Sequence, residues 1–197
     1  SSGTPVTQIA SEAKHPERII VGHPFNPAYL LPLIEICGGE KTDPAVIEAA
    51  REFYKMYDKA PCVLKKEKNG FIANRLMHAL WREEIALVTE GVCSMADADD
   101  AWTFGPGIRL AAFGPAMNYE LGGGELGLKG CAIKFGAMTN AVFADISDMK
   151  KVPDTWADQS GEEIVTEMAD FPEAIGHTKP EIANFRDYML VEMLKMH

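Results

Sequence analysis

Positive charge is the scarcest resource in this chain: 19 Lys and Arg stand against 29 Asp and Glu among 197 residues, a formal net charge of -10. The basic residues read as scattered, which excludes nucleic acid and anionic membrane surfaces as expected partners. Cysteine is also sparse. Cys37, Cys62, Cys93 and Cys131 are far apart with no CxxC pair, which argues against a metal site and a disulfide framework and points to a reducing cytoplasm. No apolar run approaches the roughly 20 residues of a membrane helix, and no signal peptide is visible. Phosphate-binding fingerprints of the GxGxxG and GxxxxGK types are missing; Gly122-Gly123-Gly124 follows no buried strand and reads as a helix-helix turn. Position 1 is not Met, and Ser1-Ser2-Gly3-Thr4-Pro5 looks like a tight turn after a buried strand, so an N-terminal part is expected to be missing.

The most informative stretch is Val21-Gly22-His23-Pro24-Phe25-Asn26-Pro27. Ile19-Ile20-Val21 is β-branched and predicts a short buried strand that delivers His23 into an irregular loop. Pro24 and Pro27 hold the residues before them extended. A second strand, Leu33-Ile34-Glu35-Ile36-Cys37, carries a carboxylate in an apolar run, and a buried Glu needs a partner. His23, twelve residues earlier, is the candidate. A His with one ring nitrogen held by a carboxylate is a general acid/base with a fixed tautomer; the competing reading is a satisfied loop residue.

Thr4 and Pro5 open a short helix ending near Ala13. Thr42-Asp43-Pro44 opens another, with Val46, Ile47, Ala50, Phe53, Tyr54 and Tyr57 on one face. Cys62-Val63-Leu64 is extended. After the Asn69-Gly70 turn, helical spacing runs from Phe71 to about Val92, ended by Gly91. Asn74 in its first turns is either a packed hydrogen-bond partner or a substrate contact. Further helices are expected at about 97 to 102, 115 to 121, 126 to 143, 160 to 169 and 180 to 196.

Taken together, Ser2, His23-x-Phe-Asn-Pro27, Glu35 and Asn69-Gly-Phe-Ile-x-Asn-Arg75 resemble the signature of the 3-hydroxyacyl-coenzyme A dehydrogenase superfamily. The resemblance implies the α/β C-terminal edge of a Rossmann domain over residues 1 to 39. An all-α dimerisation domain like the C-terminal domain of 6-phosphogluconate dehydrogenase would follow over 40 to 197. It implies NAD as cofactor, a homodimer, and oxidation of the 3-hydroxyl of a small 3-hydroxy acid. His23 would be the base and Glu35 its orienting partner; Ser2 and Asn74 would hydrogen-bond substrate oxygen or cofactor, and Asn26 would lie on the nicotinamide side. The Gly-rich turn and ribose-binding acid of such a domain are not present, so this chain alone is expected to bind NAD poorly and to be inactive. As it stands, it also reads as a non-catalytic helical dimerisation module.

Within the superfamily, Gly107 to Leu110, Phe113 to Pro115, Tyr119 to Gly124 and Arg186 to Leu194 look most like the L-carnitine dehydrogenase branch, with the lambda-crystallin (gulonate dehydrogenase) branch also close. The acyl-coenzyme A branch matches less well, and the long anionic nucleotide wants Lys and Arg clusters that an acidic chain is not expected to offer. A trimethylammonium group wants aromatic faces, and Trp81, Trp102, Phe104, Phe113 and Tyr119 could supply a cage or be plain core.

Overall fold

The computed structural model describes residues 4–196, apart from the side chain of Gln159. It divides into two compact units, one made of residues up to Ala79 with Arg186–Lys195, the other essentially Leu80–Phe185.

The first unit is built on a three-stranded sheet of order β1 (Ile20–Pro24), β2 (Leu33–Gly38), β3 (Ala60–Val63). β1 runs antiparallel to β2 and β2 parallel to β3, with His23 opposite Glu35 and Glu35 beside Cys62. The central strand is buried from Ile34 to Cys37, which is why its apolar run lacks the polar alternation of a half-exposed strand. The sheet extends past residue 39, because α2 (Pro44–Lys55) leads the chain back to β3. Val6, Val21, Cys37, Leu64 and Phe71 form the core, with Ile19 packed against them.

Two expectations about helices here need correction. The first helix is only Val6–Ile9 (α1), with Pro5 at its cap and no side-chain bond from Thr4. Its first turn is tied elsewhere, because Thr7 N–H donates to Glu67 at 2.7 Å and its hydroxyl to the other oxygen of that carboxylate. α2 opens as expected within Thr42-Asp43-Pro44, with Asp43 as the cap accepting from Ala45 N–H at 2.8 Å. Phe53 and Tyr57, expected on the packed face, are exposed and pack on each other with ring centroids 5.0 Å apart.

The second unit is helical. It takes up α3 (Ala73–Thr89) from Leu80 on, which Gly91 terminates at φ 72°, then α4 (Met95–Thr103), α5 (Pro106–Ala112), α6 (Pro115–Gly122), α7 (Gly127–Asp145), α8 (Trp156–Asp170) and the start of α9 (Lys179–Leu194), whose remainder from Arg186 belongs to the first unit. Ser94 and Asp97 form a reciprocal capping box at the start of α4. Ile85, Met95 and Trp156 make the core, joined by Val88 and Met149. The triple glycine is the expected helix-helix turn: a Cβ on Gly123 would sit 1.6 Å from the Gly127 carbonyl oxygen, so glycine is required for α7 to start there. No helix among the described residues is long and apolar enough to cross a membrane.

Candidate active site

The site starts from the β1-β2 register. Opposed residues in an antiparallel pair project to the same face, so pairing His23 with Glu35 brings imidazole and carboxylate together. Nδ1 of His23 lies 2.9 Å from Oε2 of Glu35, and both side chains are almost wholly buried, at 7% and 1% exposure. The close approach of Tyr54 beside β1 explains the glycine before the histidine, because a Cβ on Gly22 would lie 2.2 Å from the Tyr54 hydroxyl oxygen.

The carboxylate has a second set of partners that sequence reasoning missed. Oε1 of Glu35 accepts from the backbone N–H of Ile72 at 2.8 Å and of Ala73 at 2.9 Å, which are the first amides of α3. A helix N-terminus carries orphan donors and the positive end of the macrodipole, so it suits a carboxylate. With Oε1 taken by two donors, Nδ1–H of His23 donates to Oε2, and Nε2 is left with its lone pair. The sequence held only a coarse signal for this cap: the Asn69-Gly70 turn announces a helix shortly after it without fixing its first residue.

Phe71 completes the arrangement. The expected helix began at Phe71, whereas it begins at Ala73, and Phe71 instead adopts φ 51° with its N–H bonded to the Lys68 carbonyl at 3.0 Å. A left-handed conformation costs a non-glycine residue about 1 to 2 kcal/mol. Here it lays the ring, 3% exposed, against His23 with centroids 4.9 Å apart and planes 28° from parallel. The imidazole is thus held by a hydrogen bond in its plane and an aromatic face across it. Below, Cys37 is buried, and burial, followed by the charges of Glu67 and Glu35, pushes its thiol pKa up, which makes it a packing residue and not a nucleophile.

The other sequence candidates fall at different places. Asn74 is half-buried in the first turn of α3, next to the amide that binds Glu35, and its carbonyl accepts from His78 Nδ1 at 2.7 Å. Asn26 is exposed in the loop after β1. Ser2 lies outside the described residues. Trp81, Trp102, Phe104, Phe113 and Tyr119 stand on the surface of the helical unit, each at least 38% exposed.

Residues 1–68 match the profile of the 3-hydroxyacyl-CoA dehydrogenase NAD binding domain, and residues 70–171 match that of the 3-hydroxyacyl-CoA dehydrogenase C-terminal domain. The chain belongs to the 3-hydroxyacyl-CoA dehydrogenase family. It is 38% identical to an L-carnitine dehydrogenase of Mesorhizobium japonicum over 92% of this chain and 48% of that protein. It is 48% identical to one from Burkholderia mallei over 69% of this chain and 42% of that protein. The chain thus spans about half the length of the curated relatives it matches. Among solved structures, an NAD+-dependent dismutase, 5-formyl-3-hydroxy-2-methylpyridine 4-carboxylic acid 5-dehydrogenase, aligns with all of this chain and 60% of its own at TM-score 0.77 and 25% identity. A 3-hydroxybutyryl-CoA dehydrogenase of Escherichia coli K12 aligns with 61% of this chain and 25% of its own, at TM-score 0.51 and 32% identity. The family likeness accounts for the short sheet followed by helices.

Proposed function

We propose that the protein acts as an NAD-dependent 3-hydroxy acid dehydrogenase, oxidising L-carnitine to 3-dehydrocarnitine, with His23 as the base and Glu35 as its positioning residue. The single observation that carries the reading is the clamped imidazole: Nδ1 held by a buried carboxylate that is itself fixed by two helix amides. Resemblance to relatives called L-carnitine dehydrogenase supports the choice of substrate.

The chain's part in the reaction is proton handling. Nε2 of His23 takes the proton of the substrate hydroxyl as the C3–H bond breaks, so the alcohol carbon becomes a ketone and the imidazole becomes imidazolium. The Glu35 carboxylate stabilises that positive charge without moving. Asn74 and Ser2 donate to the substrate oxygen, and Asn26 lies toward the nicotinamide. When bound, NAD supplies the hydride acceptor. Of the described residues only Asn26 would reach toward that cofactor, because residues 4–68 contain no GxGxxG turn to hold the pyrophosphate. A homodimer belongs to the same proposal, supported by the large apolar residues exposed along α7, among them Ile133, Met138 and Phe143.

A 3-hydroxyacyl-coenzyme A substrate is the second reading, favoured by the likeness to the E. coli enzyme. Turnover by the full-length protein with NAD and L-carnitine, 3-hydroxybutyryl-coenzyme A and L-gulonate ranks the substrates. In that full-length enzyme His23→Gln should lower kcat by about a hundredfold to ten-thousandfold while leaving NAD affinity nearly unchanged. Near wild-type turnover in that variant would remove His23 from the mechanism.

A further inference from the structure

The chain is acidic overall, yet between β3 and the second turn of α3 it gathers Lys65, Lys66, Lys68 and Arg75. All four line one groove of about 500 Å³, together with Phe71 and Ile72. The only carboxylate in the loop, Glu67, is turned away to Thr7. Arg75 makes one long bond, 3.4 Å, to the Asn69 carbonyl, and among the described residues no carboxylate lies within ion-pair reach of the three lysines. The expectation of scattered basic residues is therefore wrong at this one place, because the turn at Asn69-Gly70 folds the lysine-rich loop back beside the first helical turn.

The groove adjoins the base. Phe71, which lines it, stacks on His23, and Ile72, which also lines it, gives its N–H to Glu35. An apolar floor with a cationic rim is a receptor for an anion that carries carbon, and repels a cation. Resting on the proposed function, we propose that this groove is an anion subsite that takes the acid end of the substrate while the hydroxyl meets His23. For a zwitterion such as carnitine it would fix direction: the carboxylate enters the groove and the trimethylammonium points away. The same rim suits the phosphates of coenzyme A, so the chemistry recognised is an anion beside a 3-hydroxyl.

The test is titration of the ¹⁵N-labelled chain, followed at the backbone amides of residues 65 to 72, with 3-hydroxybutyrate, its methyl ester and coenzyme A. The acid should bind saturably, the ester far less, and added NaCl should weaken binding. Lys65→Gln/Lys66→Gln/Lys68→Gln should loosen the acid by more than about tenfold in total, from a threefold effect per exposed charge. Butyrate, which has the acid end but no hydroxyl to meet the base, should shift the same amides in wild type and in His23→Gln and lose that shift in the triple variant, so loss of the base and loss of the subsite are read separately. Coenzyme A binding more tightly than the acid, with the same sensitivity to the triple variant, assigns the groove to phosphate. Binding of ester and acid alike, no saturable shift with either anion, or binding indifferent to salt and to the triple variant overturns the proposal.

Discussion

Glu35→Gln is the most discriminating substitution in the dyad, because shape is kept and only the hydrogen-bond polarity changes. The two amides of Ile72 and Ala73, at 2.8 and 2.9 Å, demand an acceptor on their side, so the glutamine must place its carbonyl oxygen there. Its NH₂ then faces His23 Nδ1 across the 2.9 Å contact, and a donor facing a donor is repulsive. The ring answers by moving its proton to Nε2, leaving Nδ1 as acceptor and no lone pair where the substrate hydroxyl binds. Stability should change little, while kcat should fall by about ten-thousandfold, the cost known for a wrong histidine tautomer in a triad. Glu35→Ala is the contrast: it strands two helix amides and the imidazole N–H, and each buried donor left without an acceptor costs about 1 to 3 kcal/mol. Two-bond ¹⁵N–¹H correlation of the His23 ring reads the tautomer directly, and turnover reads its consequence. An unchanged Nδ1–H tautomer in the Gln variant, or wild-type kcat with a switched one, would refute the argument.

Other expectations are simpler to state. Gly22→Ala drives a methyl into the Tyr54 hydroxyl and should destabilise by about 1 to 3 kcal/mol in urea, an overpacking cost that Tyr54→Phe should partly restore. Glu84, Asp99 and Glu167 all have carboxyl pKa values raised, chiefly by burial and then by one another's charge or that of Asp100. Their folded-state pKa values exceed the unfolded ones, so the stabilisation they give is full below the ordinary carboxylate range and is lost as pH rises through the raised values. Glu84→Gln should accordingly raise Tm at pH 7 and leave it unchanged near pH 3. Light scattering at micromolar concentration should give a dimer, and charges introduced at Ile133 and Phe143 should yield monomers if the exposed face of α7 is the contact.

The dyad was legible because two independent patterns coincide at it: a β-branched run ending in His23-Pro24 and a carboxylate amid apolar neighbours at Glu35. Alternation fixes which residues face each other once two strands pair, so the contact followed from spacing. What spacing could not show was where α3 begins. Phe71 and Ile72 have helical periodicity with Leu76 and Met77, and nothing local marks Phe71 for a left-handed backbone; only the tertiary demand of Glu35 for the amides of Ile72 and Ala73 pulls the start to Ala73. The cationic groove was hidden for a related reason. A sum of charges over the chain is blind to the turn that sends Glu67 toward Thr7 and leaves its three lysine neighbours on the other side.

The pair of amides that hold Glu35 also makes the readiness of the base a matter of helix fraying. First turns open far more often than whole domains unfold, and each opening of α3 would release Oε1 and free the carboxylate to turn from the imidazole. Hydrogen exchange at Ile72 and Ala73 therefore counts the fraction of molecules whose histidine is poised. Protection there should rise when substrate binds and fall in parallel with kcat in any variant that loosens the turn at Asn69-Gly70, however far its side chain lies from the reacting hydroxyl.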